Sequence, residues 1–294
     1  MNSKKIAIIG ANGQLGSDLQ RILSKENLYA VFPLTHTDIE ISDPEDIENT
    51  LSNINPDIVI NSAAYNNVDE SESNPQKAFL VNSLANKYLA DYCKEKNSIL
   101  VSMSSDYVFG ADRKKNIPYI ESDCPGPINA YGISKLAGEY FVQYGCSKYF
   151  IIRTCGLFGK NFSSGKKANF IETMLKIAKE KDVIEVVDDQ FTSPTYTYDL
   201  AKQIAILIKT GAFGMYHATA EGSCSWYEFA KEIFSIAKIS VTLKPISSSH
   251  FATAAKRPHY SVLENEKLIK LGINIMRHWK EGLKDYLKER EINS

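Results

Sequence analysis

The chain has few of the features that mark a secreted, metal-binding or membrane-embedded protein. Its five cysteines, Cys93, Cys124, Cys146, Cys155 and Cys224, are odd in number, scattered, and include no C-x-x-C pair. This argues against a disulfide framework or a zinc site and fits a reducing, cytoplasmic compartment. No uninterrupted apolar run reaches membrane-spanning length, and the one that follows the two N-terminal lysines is broken by glycine and polar residues. An excess of either charge is missing too. The 34 lysines and arginines nearly balance 35 aspartates and glutamates, so no global field draws the chain to nucleic acid or to an anionic membrane. Any phosphate site must therefore be local. Repeats and low-complexity segments are also lacking. The 294 residues suffice for one large α/β domain and a smaller one.

What is present begins with Lys5 to Leu23, KIAIIGANGQLGSDLQRIL, an apolar run ending in Gly10, followed by Gly13, Gly16 and helix-spaced residues. A buried strand turning tightly into a helix needs glycine where the backbone folds and where helix meets sheet. The helix N-terminus then offers free N–H groups and partial positive charge to a diphosphate. Such turns also serve as plain strand-to-helix connectors. The G-x-x-G-x-x-G spacing is the one associated with short-chain dehydrogenases.

Strands are expected at Leu28–Leu34, Asp57–Asn61, Ser98–Met103 and Tyr149–Arg153, with helices near Gln76–Lys96 and Ser134–Tyr144 between the later ones. This alternation predicts a doubly wound parallel Rossmann sheet over residues 1–155. A smaller, partly interleaved C-terminal substrate-binding lobe is expected over 156–294, with helices near Phe170–Lys181, Tyr198–Lys209 and Trp226–Ile236. Segments near 184–187 and 214–219 are expected to return to the main sheet, and the tail from Glu289 to fray.

Tyr131 and Lys135 stand four residues apart at the start of a predicted helix and so share one face. A tyrosine is a poor proton donor or acceptor at neutral pH. A neighbouring ammonium favours the phenolate and is expected to lower its pKa towards the working range. Y-x-x-x-K alone is common on amphipathic helices. Its weight here comes from the glycine turn upstream and from Ser104 and Ser105 at the end of the fourth strand.

With these residues in view, the chain resembles the extended short-chain reductases, and within them the dTDP-4-dehydrorhamnose reductases. The resemblance runs through GANGQLG (10–16), PDIVINSAAYNNVDESE (56–72), SSDYVFGA (104–111), PYIESDCPGPINAYGISKLAGE (118–139), DDQFTSPTYTYDLA (188–201) and RPHYSVLENEKL (257–268). It implies Tyr131 as proton donor, Lys135 as its partner and ribose anchor, and Ser105, where relatives usually carry threonine, as donor to the substrate carbonyl. It also implies a cofactor site of Gly10, Gly13, Gln14, Leu15 and Gly16, with Ala63, Ala64 and Tyr65 lining the channel and Glu40 and Ile41 near the adenine. Ser105, Asp106, Gly156, Asn169 and Arg257 would meet the substrate, Arg257 through its diphosphate. No metal is implied by the histidines, since His217, His250 and His259 lack ligand spacing. The acidic cluster Asp69, Glu70 and Glu72 reads as a solvated helix face. Trp226 reads as helix-start packing.

The implied cofactor is NADPH, with NADH usable, because the second strand ends in Pro33, Leu34, Thr35 and His36 with no acid before Asp38. The implied partners are a nucleotide-sugar substrate and, as candidate assembly, a homodimer. The resemblance favours reduction of dTDP-4-dehydrorhamnose to dTDP-L-rhamnose. It leaves open a non-catalytic regulatory subunit of the same fold, or a reductase or epimerase of another nucleotide sugar. Where the family runs Arg-Thr-Ser-Trp, this chain runs Arg153, Thr154, Cys155, Gly156. A wider sugar pocket, or one refilled from the Lys160–Asn169 loop, is therefore expected, and a tryptophan at 156 should restore the family wall.

Overall fold

A computed structural model describes residues 3–161, 169–251 and 253–291. In chain order the first part runs β1 (Lys4–Ile9), α1 (Gln14–Leu23), β2 (Tyr29–Leu34), α2 (Pro44–Ile54), β3 (Ile58–Asn61), α3 (Val68–Ser73) and α4 (Pro75–Phe79). A π-helical turn at Leu80–Leu84 joins α4 to α5 (Ala85–Glu95), followed by β4 (Ile99–Ser105), α6 (Ala130–Gly145) and β5 (Tyr149–Thr154). Then come α7 (Phe170–Ile177), β6 (Val183–Val187), β7 (Phe191–Thr192), α8 (Thr197–Leu207), β8 (Gly214–His217) and β9 (Cys224–Ser225). The chain ends with α9 (Trp226–Ala237), β10 (Thr242–Ile246), α10 (Glu266–Lys270) and α11 (Trp279–Glu291). Among the described residues no helix is long and apolar enough to cross a membrane.

Six parallel strands form the central sheet in the order β2-β1-β3-β4-β5-β8. Alternate side chains of a strand point to opposite faces, so each strand feeds two cores. Ile6 and Ile8 of β1 pack with Leu15 and Leu19 of α1 and Leu200 and Ile204 of α8. Ala7 and Ile9 pack with Leu51 of α2, Leu89 of α5 and Val142 of α6 on the other face. Helices on both faces make the sheet doubly wound, and the chain reverses its winding between β1 and β3. Ligand crevices of such sheets open there, beyond the carboxyl ends of the strands.

A third core, built on Phe158, Ile171, Phe229, Trp279 and Leu283, holds α7, α9 and α11 together. Two expectations need correction here. Residues 214–217 do join the main sheet as β8 beside β5, but β6 pairs with β10 in a separate two-stranded sheet. Its side chains alternate between exposed and buried, the pattern of a strand covered on one face, whereas the central strands are buried on both. The C-terminus is the second. Far from fraying at Glu289, residues 279–291 form α11, with Glu289 accepting hydrogen bonds from Arg21 of α1 (2.8 Å) and Tyr196 (2.6 Å).

Candidate active site

The site begins at the glycine turn. Gly10 has φ +76°, in the region that favours glycine, and a Cβ on Gly16 would sit 2.1 Å from the Gly10 carbonyl oxygen. Helix α1 therefore starts hard against the end of β1. Its cap residue Gly13 has no side chain to occupy the first-turn N–H groups, and no acid stands in that turn. A cradle of this kind, which any Cβ would fill, suits a diphosphate. The Leu15 side chain is buried in the core under α1, so this residue can offer a ligand only its backbone. Gln14 lines the cleft and accepts a hydrogen bond from Gly159 N at 2.9 Å.

Ala63, Ala64 and Tyr65 follow β3 and are half-buried. Tyr65 is held by a residue that local pattern does not mark, Asn82 in the π-helical turn. Asn82 Oδ1 accepts from Tyr65 N (2.9 Å), and its Nδ2 donates to Tyr65 O and to Ser134 Oγ of α6 (both 3.0 Å). At the end of β2, the Asp38 carboxylate is taken up by Thr35, accepting from its N (2.8 Å) and its Oγ1 (2.6 Å). Glu40 accepts from Ser42 N and Oγ and lies 3.5 Å from His36 Nδ1. Ile41 is buried in the second core.

A cleft of about 660 Å³ opens beside these ends, lined by Ser105, Asp106, Tyr131, Gly156, Asn169 and Arg257 among others. Tyr131 is placed by the N-terminus of α6, where Asn129 Oδ1 accepts from Gly132 N at 2.7 Å. Glu72 Oε1 accepts from Ala130 N in the same turn. Burial raises the Tyr131 phenol to about 12, and the facing Ser105 hydroxyl offsets part of the rise. The expected lowering by Lys135 is not found. Lys135 is itself buried and gives its Nζ to the Met103 carbonyl at 2.7 Å. Burial lowers its ammonium to about 8, with Glu139 opposing the fall. Desolvation thus outweighs the pairing that the four-residue spacing suggested.

Ser105 Oγ donates to Asp106 Oδ1 (3.0 Å) and accepts from Tyr107 N (3.1 Å). Asp106 is buried, accepts also from Ser261 Oγ at 2.6 Å, and is pushed up to about 7 by desolvation. Behind this layer lies a buried ion pair that was not anticipated. Arg153 donates to Glu139 through Nε (2.8 Å) and NH2 (2.6 Å), and Ser104 Oγ donates to the same carboxylate. An arginine closing the apolar run YFIIR was the available signal, since a buried guanidinium demands a buried acid.

Arg257 reaches the cleft with its fork already engaged: NH2 donates to Asp69 Oδ2 at 2.7 Å and NH1 to Oδ1 at 3.3 Å. The acidic cluster is thus more than a solvated face. Asp69 orients Arg257, Glu72 caps α6, and Glu70 accepts from Asn67 Nδ2 at 2.9 Å. Asn169 caps α7 by accepting from Glu172 N (3.0 Å), and its Nδ2 meets Tyr286 Oη at 3.1 Å. Trp226 opens α9 and packs at the helix start, as expected. It packs on Phe170 with ring centroids 4.7 Å apart, yet both rings line the cleft.

Gly156 has φ +53°, and a Cβ there would lie 3.1 Å from Pro194 Cα. A tryptophan at 156 would be strained whatever the space beyond, so the expected restoration of the wall by that substitution does not hold. The refilling loop lies largely outside the described residues, at 162–168.

Comparison with known proteins agrees with this geometry. The chain matches the family model described as RmlD substrate binding domain over residues 4–292. It is 38% identical over 286 residues to the spore coat polysaccharide biosynthesis protein SpsK of Bacillus subtilis (strain 168), covering 97% of this chain and 98% of that one. With the dTDP-4-dehydrorhamnose reductase of Escherichia coli (strain K12) it shares 35% over 297 residues, 97% of each chain. A solved dTDP-4-dehydrorhamnose reductase from Bacillus anthracis str. Ames, in complex with NADP, matches with a TM-score of 0.92 and 40% identity, covering 98% of this chain and all of that one.

Proposed function

The chain belongs to the dTDP-4-dehydrorhamnose reductase family of extended short-chain reductases, and from that premise we propose that it reduces the 4-keto group of a nucleotide-linked 4-keto-6-deoxy sugar with NADPH. The substrate it serves best on this reading is dTDP-4-dehydrorhamnose, giving dTDP-L-rhamnose. One observation carries the proposal: Ser105 and Tyr131 line one cleft, reached from a glycine cradle with an uncapped helix N-terminus.

NADPH, when bound, supplies the hydride. Gly10, Gly13 and Gly16 would leave room for its diphosphate at the start of α1, where no side chain caps the first-turn N–H groups. Ala63, Ala64 and Tyr65 would flank the nicotinamide half, and Glu40 and the backbone of Ile41, whose side chain is buried, would meet the adenine. The second strand ends in Pro33, Leu34, Thr35 and His36 with no acid before Asp38, which supports NADPH with NADH usable. Tyr131, raised to about 12, is fully protonated at neutral pH and is therefore the acid that delivers a proton to the sugar oxygen. Ser105 turns its proton from Asp106 to that oxygen as negative charge builds. Lys135, one helical turn on, would stabilise the resulting phenolate and order the ribose when the cofactor is bound. Arg257, aligned by Asp69, faces the sugar-nucleotide diphosphate, while Asp106, Gly156 and Asn169 shape the sugar end.

Position 156 lacks the family's tryptophan, and we assign the wall to Phe170 and Trp226, which leaves the pocket wider at Gly156. In the assembly we propose a homodimer, supported by the exposed apolar side of α6, where Ile133, Tyr140 and Tyr144 stand 46%, 46% and 87% exposed. We place the chain in the cytoplasm, where NADPH is kept reduced and its free cysteines stay thiols. The test is NADPH consumption on adding the keto sugar made in situ by a dehydratase. Consumption matched to added ketone supports the reading, and bound but unconsumed NADPH would instead favour a regulatory subunit.

A further inference from the structure

Tyr131, Lys135 and Glu139 follow one another at four-residue spacing and rise along one side of α6. Lys135 Nζ has a carbonyl, Met103 O, as its hydrogen-bond partner at 2.7 Å. One turn on, Glu139 is engaged on both oxygens, Oε1 by Arg153 Nε (2.8 Å) and Ser104 Oγ (2.5 Å), Oε2 by Arg153 NH2 (2.6 Å). Both side chains of the pair are 2% exposed. Met103 and Ser104 immediately precede Ser105, and Arg153 precedes the cleft residues Thr154 to Gly156. Glu139 is therefore the point at which the helix of the reacting tyrosine is fastened to both strands that carry the cleft. Resting on the reductase reading, we propose that Glu139 is a positioning residue that keeps the Lys135 ammonium charged and aligned beneath Tyr131, with Arg153 and Ser104 fixing the carboxylate in place.

The electrostatic setting explains why such a residue is needed. Burial pulls Lys135 down to about 8, close to working pH, and Glu139 is the charged group that acts against it. The other titratable groups on α6 and on the elements packed against it include Tyr131 on the helix itself, Arg153 from β5, Asp106 and Tyr107 from the turn after β4, Glu72 of α3, which accepts from Ala130 N, Lys77 of α4, and Lys87 and Asp91 of α5, which pair with each other. Tyr107 is raised above its ordinary range by burial and so is neutral. With Glu139 neutralised, burial and the uncompensated guanidinium of Arg153 would act together to discharge the ammonium. Buried ion pairs give little net stability because both charges must be desolvated, so fastening alone is a weak reason for this one.

The test reads Lys135 directly in the apo protein. In protein made with ¹³C-lysine, the Lys135 Cε resonance, assigned by its loss in Lys135→Arg, is followed against pH, alongside the pH profile of kcat/KM. The wild-type midpoint is expected near 8. Glu139→Gln should lower it by about one unit or more, carrying the alkaline limb of kcat/KM with it, a loss of about tenfold above both midpoints. Glu139→Asp should fall between the two, and it serves as the test if Glu139→Gln does not fold. Folded variants whose Lys135 midpoint stays at the wild-type value overturn the proposal and reduce the pair to a fastener of helix to sheet. A midpoint that moves in a protein without NADPH turnover upholds this inference while sinking the reductase reading.

Discussion

At the residue scale the site turns on two groups that burial moves in opposite directions, Tyr131 up to about 12 and Lys135 down to about 8. Tyr131→Phe removes the acid but little of the dinucleotide surface. Turnover should fall by roughly 10²- to 10⁴-fold with NADPH affinity, measured by fluorescence titration, nearly unchanged. Near-normal turnover would contradict the assignment. Lys135 carries a linked stability effect. Its ordinary pKa of 10.5 is lowered in the fold, so between about pH 8 and 10.5 the unfolded chain binds more protons than the folded one, and stability rises with pH there. At pH 7 the buried charge is a net burden on the apo fold. Lys135→Met should then melt no lower than wild type while losing turnover, and its relative advantage should shrink as pH rises through that window. A melting temperature several degrees lower at pH 7 would show that the Met103 bond outweighs burial. Tyr131, Lys135 and Ser105 were legible in the sequence because their spacing and chain order are the signal. The sign of the shift at Tyr131 was not, since it depends on how deeply the surrounding elements bury the pair.

At the element scale the two best-read features were β1 with α1 and the helix holding Tyr131. Apolar runs and glycine spacing mark such boundaries locally, but they pass over the cap Asn129, and the helix expected near Ser134–Tyr144 starts at Ala130. The π-helical turn at Leu80–Leu84 left no local mark, and the stretch read as one continuous helix. A π turn widens the helix and commonly occurs at functional positions. Here it presents Asn82 to Tyr65 and Ser134. Asn82→Ala should leave the backbone of Tyr65 without partners, a penalty of about 1–3 kcal/mol, and should weaken NADPH binding more than it slows reduction at saturating cofactor. An unchanged NADPH dissociation constant, measured by calorimetry, would remove Asn82 from the cofactor side of the site. Strand β6 was misplaced for a related reason. Its identity was clear from β-branched residues, but its partner β10 lies far along the chain, and pairing is a tertiary choice.

At the scale of the whole molecule, side chains from distant parts of the chain are bonded to one another. Asp18 of α1 accepts from Thr197 Oγ1 at 2.6 Å, and Asn129 Nδ2 donates to Lys256 O at 2.8 Å. Such long-range bonds are invisible to periodicity, which is why the doubly wound sheet could be read and the closure around it could not. The exposed side of α6 is also a property of the assembled fold. If it forms a dimer, light scattering of the eluted protein should give about twice the chain mass, and Tyr144→Glu should return it to the monomer. A wild-type monomer at micromolar concentration would reject that face as an interface. The central claim is hydride transfer to C4 of a nucleotide-linked sugar, and NADPH deuterated at the transferred position of its nicotinamide tests it most directly. Incubated with the 4-keto-6-deoxy sugar nucleotide, the protein should yield a product carrying deuterium at C4, and Tyr131→Phe should yield almost none. A product without deuterium, or unreduced sugar in the presence of bound cofactor, would contradict the account.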